Sequence, residues 1–441
     1  MTTLVNCPTG TLDPYVPSDS TPWNRQRVLH LYRRIGFGAN PEMVAAALER
    51  DPADLIDELL DAAINLPASP APEWANMLQE DYEDFDDEAA EQYFERILTW
   101  VEAMTENGVR ERIAFFWSGH FVTLFESYLC GSYLYRYHKL LQENALGNFK
   151  NFVHAVGQTP AMLVFLNGVQ NTKANPNENY ARELYELFTL GRDNGYTQQD
   201  IEETARALTG FQRLPDGYCG EIGFLPFTHD DDEKTIFGRT GNWNYDDIHN
   251  ILFAEHGDRI ARYICEKIYT YFISTKIDEV IVMEMAMTFQ ENDFEIATVL
   301  RQLFKSEHFF ADAIIGAKIK SPLDIFINFM VETNTPVNDE TKEGAAYLAY
   351  LLGQQVFNPP DVSGWKGDKS WINSSRLTGR WQGIDFLLFY QYEQFPATLT
   401  NFARELTNNS NDPAFITQRI TDHFLPNGLQ TTAEYVRATE V

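Results

Sequence analysis

The chain has 441 residues, and its hydrophobic content of 44% provides enough apolar material for a large buried core. Its formal net charge is -30 at pH 7 and no basic run exceeds two residues, which argues against nucleic acid as a partner, since phosphates would be repelled. No run of about 18 apolar residues occurs, so the sequence predicts no membrane span.

Residues 1–22 are predicted to form an irregular arm, because Pro8, Pro14, Pro17 and Pro22 prevent a long helix. The arm is polar, and it lacks the basic start and apolar run of a secretory signal. On this basis we expect a cytoplasmic protein. An exported protein, whose signal lies outside this chain, is the alternative.

Residues 23–72 are predicted to form an N-terminal helical subdomain, since apolar residues recur at helical spacing from Trp23 to Ile35 and again in the segments that follow. Residues 73–441 are predicted to form the main helical domain. Within it, residues 211–246 and 353–375 lack helical periodicity and are predicted to be long insertion loops, a kind of segment that is often functional. Because two-residue alternation is nearly absent, we predict an all-α fold with a large multi-helix body and these two irregular insertion loops.

The four cysteines, Cys7, Cys130, Cys219 and Cys265, are scattered along the chain without CxxC spacing. This pattern argues against a zinc ribbon and against a disulfide-dense scaffold. It leaves one or two disulfides open.

The most strongly patterned stretch, residues 177–191, is predicted to be a helix with one apolar stripe. Asn179, Glu183 and Glu186 share another face, because residues three and four positions apart are neighbours on a helix. Their oxygens could hold a divalent cation such as Ca²⁺ or Mg²⁺, or the two carboxylates could act as a general acid and base. The structural alternative is a salt-bridge network centred on Arg182.

Two further groups of polar residues are candidates for chemistry. His120 follows the end of an aromatic helix and could be a metal ligand, a general base or a core histidine bound to a backbone carbonyl. His229 and Asp230 are adjacent in a loop rich in Gly and Asp, where Asp230 could orient the imidazole or both could bind a metal with a remote Glu. An acidic turn capped by Lys234 is the structural alternative for the second group.

Substrate contacts are predicted in two places. Trp365 and Trp371 stand among Gly and Asp residues in the second insertion loop, and exposed indoles often bind sugar rings or peptides. Two buried indoles that anchor the loop are the alternative. On the patterned helix and its preceding turn, Asn177, Asn179 and Arg182 are the other predicted contacts.

Five motifs stand in order along the chain. They are Arg33-Arg34-Ile35-Gly36-Phe37-Gly38, Phe116-Trp117-Ser118-Gly119-His120-Phe121, the 177–191 helix with its continuation to Phe211, His229-Asp230 with Lys234-Thr235 and Gly238, and Leu352-Gly353-Gln354 with Pro359 to Trp371. Together they resemble the bacterial family catalogued as domain-of-unknown-function number 1800, over about residues 23–380.

This resemblance implies no particular reaction, because the family has no assigned activity. It implies that similar proteins are often exported and are often encoded beside a sulfatase-like partner protein. The chain departs from the family pattern in lacking a signal sequence. It also has Ser118 where a histidine is expected before His120, which argues against a two-histidine metal site there.

Two functional hypotheses follow. The first is a hydrolase or transferase acting on a polar, glycan-like substrate, with or without a divalent metal ion, in which Glu183, Glu186, His229, Asp230 and His120 are catalytic and the first three are candidate metal ligands. The second is a non-catalytic helical scaffold or binding protein whose buried polar network is structural. The enzyme hypothesis requires both histidines to meet one of the glutamates in a concave pocket.

Overall fold

The computed structural model describes residues 10–215 and 217–440, and this part of the chain is predominantly helical, as the all-α prediction requires. The α-helices are α1 Arg25–Ile35, α2 Pro41–Leu48, α3 Pro52–Asn65, α4 Phe85–Glu106, α5 Gly108–Ser118, α6 Gly131–Asn144, α7 Phe149–Gly157, α8 Pro160–Phe165, α9 Asn179–Glu183, α10 Gln198–Ala207, α11 Tyr245–Phe272, α12 Glu279–Glu291, α13 Ile296–Phe304, α14 Pro322–Glu332, α15 Asp339–Leu351, α16 Ser374–Gln394, α17 Pro396–Thr407, α18 Pro413–Phe424 and α19 Thr432–Glu440. Among the described residues, no helix combines the length and the apolar character needed to cross a bilayer.

Local sequence signals set many helix ends. At the start of α10, the Thr197 hydroxyl accepts a bond from the Asp200 N–H, and the Asp200 carboxylate accepts one from the Thr197 N–H. This reciprocal capping box satisfies two backbone donors that a helix start leaves without partners. Helix α5 begins at Gly108, directly after Asn107, the residue that caps the end of α4.

One hydrophobic core extends from Leu12 near the described N-terminus to Leu387 in α16. Val28 of α1 and Leu60 of α3 are completely buried in this core, together with residues of the later helices. Helices α1–α3 therefore pack into the main body, and a subdomain boundary near residue 72 stays a prediction. The predicted arm is non-helical over residues 10–22, while residues 1–9 lie outside the described part of the chain.

The two predicted insertion loops contain short ordered elements. The first forms two antiparallel hairpins, in which β1 Phe211–Arg213 pairs with β2 Ile222–Phe224 and β3 Lys234–Ile236 pairs with β4 Arg239–Gly241. The second contains only a short 3-10 helix at Asp368–Trp371. These segments are thus irregular connections with local structure of their own.

A disulfide joins Cys130, immediately before α6, to Cys219 between β1 and β2. It attaches the first insertion to the helical body. Cys265 is a buried free thiol in α11, and Cys7 lies outside the described residues. One of the pairings that the sequence left open is therefore present.

The strongly patterned stretch is not a uniform α-helix. Helix α9 ends at Glu183, and Leu184–Thr189 continues as a π-helix, whose wider turn is shown by the 2.9 Å bond from Leu190 N to Tyr185 O. The Thr189 hydroxyl donates to Leu184 O at 2.5 Å and so competes for a carbonyl that the backbone would otherwise use. Short π-helical segments are rare and occur frequently at functional sites.

Candidate functional site

The carboxylates of the π-helical stretch take part in an ion network. Glu186 lies 3.2 Å from Arg192 Nε and 3.7 Å from Arg182 Nη1, and Arg182 also bonds Glu178 at 2.7 Å. Glu183 is half-buried, and burial together with the nearby Glu186 charge raises its pKa. The contacts of Arg182 and Glu186 match the structural alternative, a salt-bridge network centred on Arg182.

The two asparagines before this helix form its entry turn. The Asn177 carboxamide oxygen accepts the Asn179 N–H at 3.0 Å, and the Asn177 N–H donates to the Asn171 side chain at 2.9 Å. The Asn177 side-chain oxygen is therefore used locally to shape the backbone.

His229 and Asp230 have separate partners. Arg206 binds Asp230 with two bonds, of 2.7 and 3.3 Å, and Lys234 donates to the Asp230 carbonyl. Burial alone would raise the pKa of Asp230, but the bonds and charge of Arg206 outweigh it and hold the pKa below its usual value. His229 Nδ1 lies 2.9 Å from the Thr209 carbonyl. The turn thus matches the acidic-turn alternative, with Arg206 as a second cation.

His120 is a core histidine bound to a backbone carbonyl. Its Nε2–H donates to Phe188 O at 3.0 Å, which ties the end of α5 to a carbonyl at the end of the π-helix. Burial and the nearby Lys267 charge lower the pKa of His120 to about 3, so the ring is neutral near pH 7. Nδ1 then carries a lone pair, and it has no hydrogen-bond partner among the described residues.

In the part of the chain that the structure describes, no direct hydrogen bond connects the predicted catalytic histidines and glutamates. No hydrogen bond joins His120 or His229 to Glu183 or Glu186 among the described residues, because each histidine is bound to a carbonyl elsewhere. In the same part of the chain, no three His, Cys, Asp or Glu side chains form a group that could hold a metal ion. The described residues thus offer no ready-made metal group, and Glu183, Glu186 and His229 as metal ligands stay a prediction.

A cavity of about 620 Å³ opens at a different place in the helical body. It is enclosed by α1, α5, the C-terminal end of α11, the segment 315–328 and the loop 363–371. Among the predicted site residues, His120, Trp365 and Trp371 line it. The remaining predicted residues, Glu183, Glu186, Arg182, Asn177, Asn179, His229 and Asp230, are not part of its wall.

The wall of this cavity is cationic, although the chain as a whole is strongly acidic. Seven cationic side chains line it against three carboxylates. The cations are Arg33, Arg34, Arg112, Lys267, Lys318, Lys320 and Lys366, and the carboxylates are Asp324, Asp368 and Asp422. We call this space the cationic cavity.

Two of these cations have counterions beside the cavity. Arg33 binds Glu332 with two bonds, of 2.6 and 2.7 Å, and Arg112 forms an ion pair with Asp324. Their charges are neutralised by the protein itself. They do not need a ligand.

Other cations have no carboxylate partner among the described residues. Among the described residues, the amines of Lys320 and Lys267 have neither an ion pair nor a hydrogen bond. The Arg34 side chain has one hydrogen bond in this part of the chain, from Nη2 to the Ile314 carbonyl at 3.5 Å. The Lys318 amine donates to the Thr270 and Tyr271 carbonyls, at 2.6 Å each.

The pKa values of these groups reflect their surroundings. Burial, followed by the charge of Arg34, lowers the pKa of Lys318 to about 7, and burial lowers that of Lys320 to about 8. Burial also lowers the pKa of Arg34 to about 10. Lys267 is an exposed residue, yet the protein atoms around its amine lower its pKa as well. The site is therefore a cluster of incompletely solvated positive groups.

Aromatic rings form another part of the wall. Phe115 stacks on Trp365 with ring centroids 5.6 Å apart, and Phe116 packs on Tyr271 at 5.0 Å. Gly364 has φ +77, and a Cβ at that position would lie 2.5 Å from Gly119 O. Only glycine fits this close approach, which seats the loop on the end of α5 and places Trp365 at the cavity.

Sequence reasoning missed the lysines and Arg34 as site residues. They come from α1, from α11, from the segment before α14 and from the loop 363–371, so no basic run longer than two residues marks them. The local signals are the Arg33-Arg34 pair of the first motif and Lys318-Ile319-Lys320 ahead of the Ser321 helix cap, in a chain with 34 basic residues against 64 acidic ones.

The comparisons with known proteins identify a family and no activity. A profile of the family described as "Protein of unknown function (DUF1800)" matches residues 30–439. A search of curated proteins returned no match, and neither did a search of solved structures. The match covers most of the chain and includes the helices and loop that enclose the cationic cavity. The chain therefore belongs to the DUF1800 family, as its five motifs predicted.

Proposed function

We propose that this protein binds a small anionic ligand in the cationic cavity. The observation that carries the proposal is the presence of Lys320, Lys267 and Arg34 in its wall without carboxylate partners among the described residues. Partly desolvated charges are costly unless they are paired. An anion from solution would supply the missing pairing.

The charge and the size of the cavity favour a small ligand. The net charge of -30 repels large polyanions and anionic membranes over long distances, whereas a cationic cleft concentrates small anions locally. A volume of about 620 Å³ is in the range of small-molecule sites, roughly 300–1,000 Å³. Binding of this kind is compatible with the non-catalytic hypothesis and also with a substrate site.

A hydrolase or transferase reaction on a glycan-like substrate remains a prediction. So does a metal-assisted form of it, in which Glu183, Glu186 and His229 would supply ligands. The sulfatase-like partner implied by the resemblance is supported neither by the comparisons nor by the described contacts, and it too remains a prediction. The binding proposal requires none of these.

The test is calorimetric titration of the whole chain with sulfate, phosphate and citrate at about pH 6.5, where the lysines are charged. We expect Lys320→Gln to weaken binding roughly 10- to 100-fold, since a hydrogen bond to a charged group is worth about 1.5–3 kcal/mol. Lys276→Gln is the matched control, because it removes the same charge from an exposed position outside the cavity wall.

The control should stay within about twofold of the unmodified protein, as expected for an exposed charge. Absence of any anion binding to the unmodified protein would refute the proposal. Equal losses in the two variants would do the same, because the effect would then come from net charge alone.

A further inference from the structure

The cationic cavity contains polar groups that an inorganic anion would leave without partners. His120 Nε2 is bound to Phe188 O, so its Nδ1 can only accept a hydrogen bond. Sulfate and simple carboxylates have no hydrogen to donate when they are fully ionised. His120 therefore points to a ligand that also carries donors.

Two amide groups on the same wall point to acceptors. Asn328 is 2% exposed, and its Nδ2 is buried without a partner among the described residues. Gln354 is also 2% exposed, and its Oε1 accepts the Leu323 N–H at 2.8 Å. The bond fixes this carboxamide, so that its NH₂ group is the end left for a ligand. A buried donor without an acceptor destabilises the protein unless something binds it.

A ring-shaped ligand is favoured by the aromatic part of the wall. Trp365 is half-buried against Phe115, and it stands on a loop that Gly364 fixes to the end of α5. Aromatic faces with a polar rim bind amphipathic rings, whose faces are apolar and whose edges carry hydroxyl groups.

We infer that the ligand is an acidic saccharide, a hydroxylated ring that bears a carboxylate, sulfate or phosphate. This inference rests on the proposed function. The acidic group of the saccharide pairs with Lys320, Lys267 and Arg34. Its hydroxyls, which both donate and accept, satisfy His120, Asn328 and Gln354 together. An aromatic acid would meet the cations and the ring face but would leave the imidazole and the amides unpaired.

The test is a ligand panel titrated into the whole unmodified protein: galacturonate, galactose, benzoate, sulfate and trigalacturonate. We expect galacturonate to bind at least about tenfold more tightly than galactose, benzoate or sulfate, since each of these lacks one class of contact. Tighter binding of the trimer than of the monomer assigns the ligand to an acidic chain. Equal binding assigns it to a free acidic sugar.

Two variants locate the binding. We expect Trp365→Ala to weaken galacturonate about tenfold or more and to leave sulfate within about twofold, because sulfate has no ring to stack. Trp381→Ala is the matched control, since Trp381 lies on α16, is 65% exposed and is not part of the cavity wall. It should change neither affinity. Asn328→Leu is a second variant, at a position outside the loop that carries Trp365. In the same titrations we expect it to weaken binding of galacturonate and not binding of sulfate.

The outcomes separate this inference from the proposal beneath it. If benzoate or sulfate binds as tightly as galacturonate, the saccharide inference is wrong while anion binding stands. If galactose binds as tightly as galacturonate, or if neither this panel nor phosphate and citrate bind, the anion-binding proposal itself is wrong.

Discussion

At the scale of single residues, both arginines of the Arg33-Arg34 motif line the cavity, and Arg33 also stabilises the fold. Glu332 in α14 is completely buried and receives both bonds of Arg33 from α1, while His423 Nε2 of α18 lies 3.1 Å from Glu332 Oε2. Gly38, with φ +109, is required here, because a Cβ would lie 2.8 Å from the Glu332 carboxylate. This motif therefore reflects tertiary packing as well as the site.

Removing the Glu332 charge should be strongly destabilising. We expect Glu332→Gln to lower the free energy of unfolding by about 3–5 kcal/mol, since it leaves buried Arg33 without its counterion. Urea denaturation measures the loss. Glu42→Gln on exposed α2 is the control and should change stability by less than about 0.5 kcal/mol. A loss of similar size in both variants would contradict the buried ion pair.

The pH dependence of this pair has a definite sign. Burial would raise the pKa of Glu332, but Arg33 and His423 outweigh it and hold the pKa far below its usual value. A carboxylate with a lowered folded-state pKa contributes stability above its unfolded pKa and loses it as the pH falls. The difference between Glu332→Gln and the unmodified protein should therefore shrink below about pH 4, when measured by acid titration of unfolding.

At the scale of elements, side chains from distant helices complete the ends of the central π-helix. His120 binds Phe188 O, and the Tyr263 hydroxyl of α11 donates to Leu187 O at 3.1 Å. These bonds satisfy carbonyls that a helix end leaves without partners. Tertiary contacts therefore stabilise the C-terminal end of this irregular element.

The disulfide between Cys130 and Cys219 links the start of α6 covalently to the first insertion. Its sequence separation of 89 residues makes it a constraint on a long loop. We expect Cys219→Ser to lower stability by about 2–5 kcal/mol. Thermal unfolding and peptide mapping without reductant check this, and adding reductant to the unmodified protein is the control that breaks the same bond without a substitution. A mapped free Cys130 in the unmodified protein would contradict the pairing.

Since structural disulfides persist in oxidising compartments, we propose that the protein resides in one.

At the scale of the whole molecule, the distribution of charge is the main functional feature. A chain with net charge -30 collects seven cationic groups around one cavity. The acidic surface and the cationic interior together select small anions, because long-range repulsion acts on polyanions while the local field acts within the cleft.

Anion affinity should depend on pH over the range set by the lysines. The pKa values of about 7 for Lys318 and about 8 for Lys320 mean that both amines lose charge as the pH rises through these values. We expect sulfate affinity to fall at least about tenfold between roughly pH 6.5 and 9, with proton uptake on binding near pH 8. Calorimetry in buffers of different ionisation enthalpy measures both. A pH-independent affinity would show that these amines do not contact the anion.

The sequence by itself determined the helical class, many helix starts and ends, and the family. Caps such as Thr197 with Asp200, the break at Gly108 and the apolar stripes are local patterns that the chain encodes over a few residues. The structure of the first insertion was missed because its strands are three residues long, too short for an alternating pattern to be recognised.

Only the tertiary structure decided which polar residues meet. The sequence grouped His120 and His229 with the glutamates of the 177–191 stretch, whereas packing gave each histidine a carbonyl partner and placed only His120 at the cavity. It also brought Arg34, Lys267 and Lys320 together from separate elements, across nearly 290 positions of the chain. Side-chain proximity over such separations depends on how helices pack against one another, and no periodicity within a single helix contains that information.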